Sequence, residues 1–172
     1  MHRFNYKVKT KASPATAWQV YSNWNLWRNF ANIYGDVNWS EGKPWEVGSK
    51  MEIEILQPEK AIVNRLIICC EPARELGWID RALGMTLGQW VEFESHPLGG
   101  TLVHTWGELT PSGLTYAGRT AEQLLAEFTE TWHENYRRAC DERAETSGNQ
   151  TRDSAHSSGN PSSSEKKNGL EC

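Results

Sequence analysis

The sequence has no run of about 18 apolar residues, the length at which a membrane-spanning helix is expected. Its first residues, Met1-His2-Arg3-Phe4-Asn5-Tyr6-Lys7, lack an apolar core of signal-peptide length, so a cytoplasmic location is expected and membrane insertion is not. It also lacks a basic cluster. Eighteen Lys and Arg stand against 22 Asp and Glu, a net charge of −4, whereas a nucleic-acid groove needs a concentrated basic stripe to displace counterions from phosphate. Nucleic acid is therefore not an expected partner. The four cysteines, Cys69, Cys70, Cys140 and Cys172, show neither a C-x-x-C spacing nor a Cys/His cluster. That argues against a zinc site and against a disulfide framework, and reduced thiols are expected. The five histidines form no metal set, and no phosphate loop or dinucleotide fingerprint is present; Gly84 and Gly88 open no helix. No cofactor is implied.

What is abundant is tryptophan, nine in 172 residues. Side chains of that size must fill a core or line a pocket. From residue 147 to 172 the composition turns to Ser, Gly and Asn, and a disordered tail is expected there. One domain over 1–146 remains, large enough to bury about two-thirds of its unfolded surface.

Within it, 4–11 alternate as a half-buried strand, with Phe4, Tyr6 and Val8 on one side. Ser13-Pro14 reads as an N-cap followed by proline at the first helical position, opening a helix that carries Ala17, Trp18, Val20 and Tyr21. A second short helix holds Trp24, Trp27 and Phe30, and these tryptophans read as core. Residues 35–48 are loop or edge strand. In 50–56, Met51, Ile53 and Ile55 face inward, with Glu52 and Glu54 solvated. The 61–71 strand is apolar on both faces, so the direction of Arg65 stays open; pointing inward, it would need a carboxylate or a ligand anion. Further strands are expected over 75–80, 85–95 and 101–110, in an antiparallel meander. A long helix over 118–144 closes the domain. Ala121, Leu125, Phe128, Trp132 and Ala139 form its apolar stripe, and His133 falls on its polar side.

The hairpin around His96-Pro97-Leu98-Gly99-Gly100 sets Phe93 opposite Val103, Val91 opposite Thr105, Glu92 opposite His104 and Trp90 opposite Trp106. The face with Leu87, Gln89, Val91, Phe93, Val103, Thr105 and Leu109 is expected inward, because the other would bury three carboxylates at several kcal/mol each. Trp90 and Trp106 are then paired on the outside, where a contact between copies of the chain is a use for them. With the faces reversed, Glu92 and His104 would form a buried carboxylate–imidazole pair suited to acid/base chemistry.

Ala12-Ser13-Pro14-Ala15-Thr16-Ala17-Trp18 with Trp24 and Trp27, then Val47-Gly48, Glu71-Pro72, Leu76-Gly77-Trp78 and Gly99-Gly100-Thr101 resemble, in order and spacing, the START-related SRPBCC superfamily. This is the helix-grip fold of the birch pollen allergen and of bacterial polyketide cyclase/dehydrase-like proteins. The resemblance implies an α+β domain: a curved antiparallel sheet, with two short helices after its first strand, gripping a long C-terminal helix. It also implies a cavity between sheet and helix that takes a small apolar or aromatic molecule, lipid- or polyketide-like. Met51, Ile53, Trp78, Gln89, Val91, Thr105, Phe128 and Trp132 are the residues expected at that ligand. Members of the superfamily include carriers and enzymes, so the fold alone assigns no reaction. Three readings follow: a ligand binder, a cofactor-free cyclase or dehydratase with Glu92 and His104 as its weak catalytic candidates, and an interaction module or homodimer joined through Trp90 and Trp106.

Overall fold

A computed structural model describes residues 1–156, with side chains as far as residue 148. Strand β1 (His2–Thr10) is followed by helix α1 (Pro14–Ser22), a 3-10 turn (Trp24–Leu26) and helix α2 (Trp27–Phe30). Strands β2 (Tyr34–Glu41), β3 (Lys50–Ile55), β4 (Ala61–Glu71), β5 (Glu75–Ala82), β6 (Met85–Ser95) and β7 (Thr101–Thr110) come next. A small hairpin of β8 (Thr115–Tyr116) and β9 (Arg119–Thr120) leads into helix α3 (Ala121–His156). The seven long strands form one antiparallel sheet in the order β1-β7-β6-β5-β4-β3-β2, which makes β2 an edge strand.

Local chemistry accounts for the element ends. At α1, Ser13 Oγ accepts the Thr16 backbone N–H at 3.3 Å, and Pro14 occupies the first turn. The β6–β7 hairpin has the register expected from its loop, including Trp90 opposite Trp106 and Glu92 opposite His104. At Gly100 (φ 80°) a Cβ would sit 2.1 Å from the Thr10 carbonyl oxygen, so the turn can press against β1 only without a side chain.

Helix α3 begins at Ala121 rather than at 118. Ala117 (φ 49°) and Gly118 (φ 76°) instead make the left-handed turn of the β8–β9 hairpin. Thr120 and Gln123 then cap the helix reciprocally: Thr120 Oγ1 accepts the Gln123 N–H at 3.2 Å, and Gln123 Oε1 accepts the Thr120 N–H at 3.0 Å. At its other end α3 continues past residue 146 to His156, into the stretch expected to be disordered. Adding turns to an existing helix is cheap compared with nucleating one, and the Thr146 and Ser147 hydroxyls donate to the Glu142 and Arg143 carbonyls. Residues 157–172 of the expected tail lie outside the described residues.

His133 is buried, not on a polar face. The sheet curves around α3, so the helix buries a wider arc than a flat partner would require. On that flank the Tyr6 ring of β1 lies 5.2 Å from the imidazole, and Thr105 Oγ1 of β7 lies 2.9 Å from Nε2. With Nδ1–H donating to the Thr129 carbonyl (2.8 Å), Nε2 is left to accept from the Thr105 hydroxyl. The ring is neutral in this arrangement, and burial pulls its pKa down to about 4.

The C-terminal half of the grip is closed by an aromatic cluster. Tyr21 of α1 meets the rings of Trp132, Tyr136 and Phe93 at 4.9, 5.4 and 5.5 Å. The Tyr136 hydroxyl donates to the Ala17 carbonyl at 2.9 Å, and Asp141 accepts from Thr10 Oγ1 and the Lys11 N–H at 2.6 and 2.8 Å. These contacts clamp α3 to α1 and to the end of β1.

Candidate functional site

The N-terminal half of the grip is hollow. A cavity of about 470 Å³ lies between the concave face of the sheet and the first turns of α3. Its walls are aliphatic: Ile55 of β3, Ala61 and Val63 of β4, Ala82 of β5, Leu87 of β6 and Leu109 of β7 face Leu124, Leu125 and Phe128 of α3. The mouth lies among exposed residues of the β3–β4 loop (Gln57, Pro58, Glu59), Leu83 of the β5–β6 turn, and the β8–β9 hairpin. There Arg119 pairs with Glu127 of α3, which ties the hairpin to the helix; hydrogen bonding from Arg119 holds the Glu127 carboxyl below its usual range. The volume is in the range of small-molecule sites. A larger groove, about 650 Å³, lies between α1–α2 and α3, but Asn29, Asn135, Arg138, Glu142 and Arg143 make it polar. The aliphatic cavity is the better match for an apolar guest.

One charged residue of the cavity wall is buried among the described residues, Asp80 of β5. Its partner is Arg65, directly opposite in the β4–β5 ladder. Arg65 points inward and donates Nε–H to Asp80 Oδ1 and Nη2–H to Oδ2, both at 2.8 Å. Oδ2 also accepts the Trp78 indole N–H at 3.1 Å. The guanidinium lies 4.3 Å from the Trp78 ring centre and 5.4 Å from that of Trp27, a cation held between two aromatic faces. Burial alone would lower the Arg65 pKa; the Asp80 charge and hydrogen bonds outweigh it, and the pKa ends above the ordinary arginine value. The carboxylate that an inward Arg65 demanded is thus Asp80, which the sequence alone did not single out. Nothing marks it in a one-dimensional pattern, since its role depends on a cross-strand neighbour fifteen residues away.

Of the eight residues expected at a ligand, Phe128 lies in the cavity wall. Met51, Ile53, Trp78, Val91, Thr105 and Trp132 are buried in the packed region beside it, and Gln89 is half-buried on β6 opposite Trp78. Among them, Trp78 and Trp132 are large enough to close the gap they border, whereas Ala61, Val63 and Ala82 in the cavity wall are short.

Glu92 and His104 lie on the outer face of the sheet. His104 Nδ1 is 4.0 Å from Glu92 Oε2, while Nε2 is 3.2 Å from Asn5 Oδ1 on the neighbouring strand. The inward assignment of Val91, Phe93, Val103 and Thr105 holds, as all four are buried. Trp90 and Trp106 are half-buried on the outer face. The Trp90 indole lies against Gly77, where a Cβ would come within 2.8 Å of its ring, so part of this apolar surface is covered within the sheet itself.

No known family model matches the sequence, and no curated protein matches it. Solved structures do. The crystal structure of Ara h 8.0201 superposes with a TM-score of 0.64 at 12% identity, over 81% of this chain and 97% of that one. Protein CV1439 from Chromobacterium violaceum gives 0.62 at 12% identity, over 82% and 99%; protein MLL2253 from Mesorhizobium loti gives 0.62 at 11%, over 80% and 95%. Identity this low speaks for architecture alone. The order of elements, the seven-stranded antiparallel sheet and the long closing helix make a helix-grip fold, the architecture shared with these structures.

Proposed function

We propose that the protein binds a small, predominantly apolar molecule, lipid- or polyketide-like, in the cavity between β3–β7 and the first half of α3. The observation that carries this reading is an aliphatic hollow of about 470 Å³ in a domain whose remaining core is tightly packed. Leaving such a void forfeits the contacts its lining would otherwise make, and a ligand restores them. Phe128 and the aliphatic residues of β4, β6 and α3 supply the contact surface, and the mouth beside Leu83 and Pro58 supplies the entrance.

Binding is favoured over a cyclase or dehydratase activity by the wall itself. It includes no His or Cys among the described residues, and the Asp80 carboxylate is committed to Arg65 and Trp78. Glu92 and His104 lie across the sheet from the cavity and have no route to a molecule inside it.

The test is titration with N-phenyl-1-naphthylamine, a neutral apolar fluorophore, alongside native mass spectrometry of the purified protein. Saturable fluorescence enhancement that is lost in Val63→Trp, a substitution that fills the hollow from β4, supports the reading. A signal identical in both proteins overturns it.

A further inference from the structure

We infer that Asp80 is the polar anchor of this cavity and that it selects ligands presenting one neutral hydrogen-bond donor, such as a hydroxyl, over hydrocarbons and over carboxylates. The inference rests on the cavity-binding reading and adds the chemistry of the guest's polar end.

A carboxylate has about four lone-pair sites. Three protein donors reach Asp80: Arg65 Nε–H, Arg65 Nη2–H and the Trp78 indole N–H. One site remains, on a residue in the cavity wall whose side chain is 11% exposed. Around it the wall is aliphatic, with Val63 and Ala82 on neighbouring positions of the same inward face and Leu87 directly across the ladder. In such surroundings an unfilled acceptor on a charged group is costly, and a hydrogen bond to it is worth more than in water.

The same geometry sets the sign of the selectivity. Arg65 neutralises Asp80, so the floor of the cavity carries no net charge that would draw an anion inward. The guanidinium is turned toward Asp80 and lies between the Trp27 and Trp78 rings, and it is Asp80 that stands in the wall. A ligand carboxylate would therefore meet the Asp80 oxygens, like charge to like. A hydroxyl offers the single donor that the free site accepts, and a hydrocarbon leaves that site empty.

Three probes of one shape separate these cases: 4-butylphenol, butylbenzene and 4-butylbenzoate, each measured by displacement of N-phenyl-1-naphthylamine near neutral pH. The phenol is expected to bind about tenfold tighter than butylbenzene, as one hydrogen bond to a charged group implies, with the benzoate weakest. In Arg65→Leu/Asp80→Leu, which removes both charges together and strands neither, the ratio of phenol to butylbenzene affinity should fall to about one. Asp80→Asn serves as a second variant, and its ratio should also drop. Independently of any variant, nitrogen-15 NMR of the wild-type protein should show the Trp78 indole N–H resonance moving with 4-butylphenol and not with butylbenzene, because that group shares Asp80 Oδ2. Equal affinity for phenol and hydrocarbon, with an unmoved Trp78 signal, leaves the cavity reading intact and overturns the anchor alone. Binding of none of the three probes overturns both.

Discussion

The two halves of the grip use the same sheet and the same helix yet end differently. Around Trp132 and Tyr136, α3 meets the rings of Tyr21 and Phe30, with Cys140 buried in the same cluster, and the large opening there is the polar groove beside α1 and α2. Along the first turns of α3, Leu124, Leu125 and Phe128 face Ala61, Val63 and Ala82 across about 470 Å³. Farther along, α3 touches β1 and β7 directly through His133 and Asp141, whereas over its first turns the side chains leave the space to the sheet unfilled. Stability therefore belongs chiefly to one half and ligand capacity to the other.

The largest expected effect tests the packed half. Trp132→Ala should cost about 3–5 kcal/mol, as removing a buried aromatic does, whereas Leu125→Ala beside the hollow should cost about 1 kcal/mol, since that side chain already borders open space. Urea denaturation of both variants checks the contrast, and equal losses would break it.

A second effect comes from the buried imidazole. In the folded protein His133 titrates near pH 4, and in the unfolded chain near 6.5. Between those values the unfolded state binds the extra proton, so stability falls as the pH drops from 6.5 to about 4, by about 3 kcal/mol in all, and this contribution is fully present above 6.5. In His133→Phe that portion of the pH dependence should vanish from the urea midpoints. An unchanged slope would mean that carboxylates, not this ring, set the acid limit.

Val63→Trp addresses the hollow directly. It should weaken N-phenyl-1-naphthylamine binding more than tenfold while changing stability by about 1 kcal/mol or less, because the added ring enters existing space. The smallest effect is expected on the outer face. A Glu92/His104 double-mutant cycle should give a coupling well under 1 kcal/mol, with no change in dye affinity, as for an ordinary surface pair.

Much of the frame was legible along the chain. Period-2 alternation and a five-residue Gly-Gly loop were enough to set the β6–β7 register and its inward face, because a one-residue slip would have buried Glu92 and Glu94. Ser13-Pro14 marked the start of α1 for local reasons that need no distant partner. Arg65 was not legible in the same way: with apolar neighbours on both sides, no wet face calibrated its direction, and its partner Asp80 becomes adjacent only when β4 and β5 pair. His133 failed differently. A helical wheel assumes a flat partner, while here β1 and β7 wrap one flank of α3 and bury a residue the wheel places outside.

The sequence by itself determined the main elements and their order, the β6–β7 register and the apolar faces of the strands that alternate, since each depends on neighbours two to four residues apart or on a short turn. Tertiary structure alone decided where the hollow lies, that Asp80 stands in its wall against Arg65, and that Trp78 and Trp132 fill space instead of lining it. Those outcomes depend on how side-chain volumes from five strands and a helix meet across a curved gap, and that sum is not contained in any local stretch of the chain.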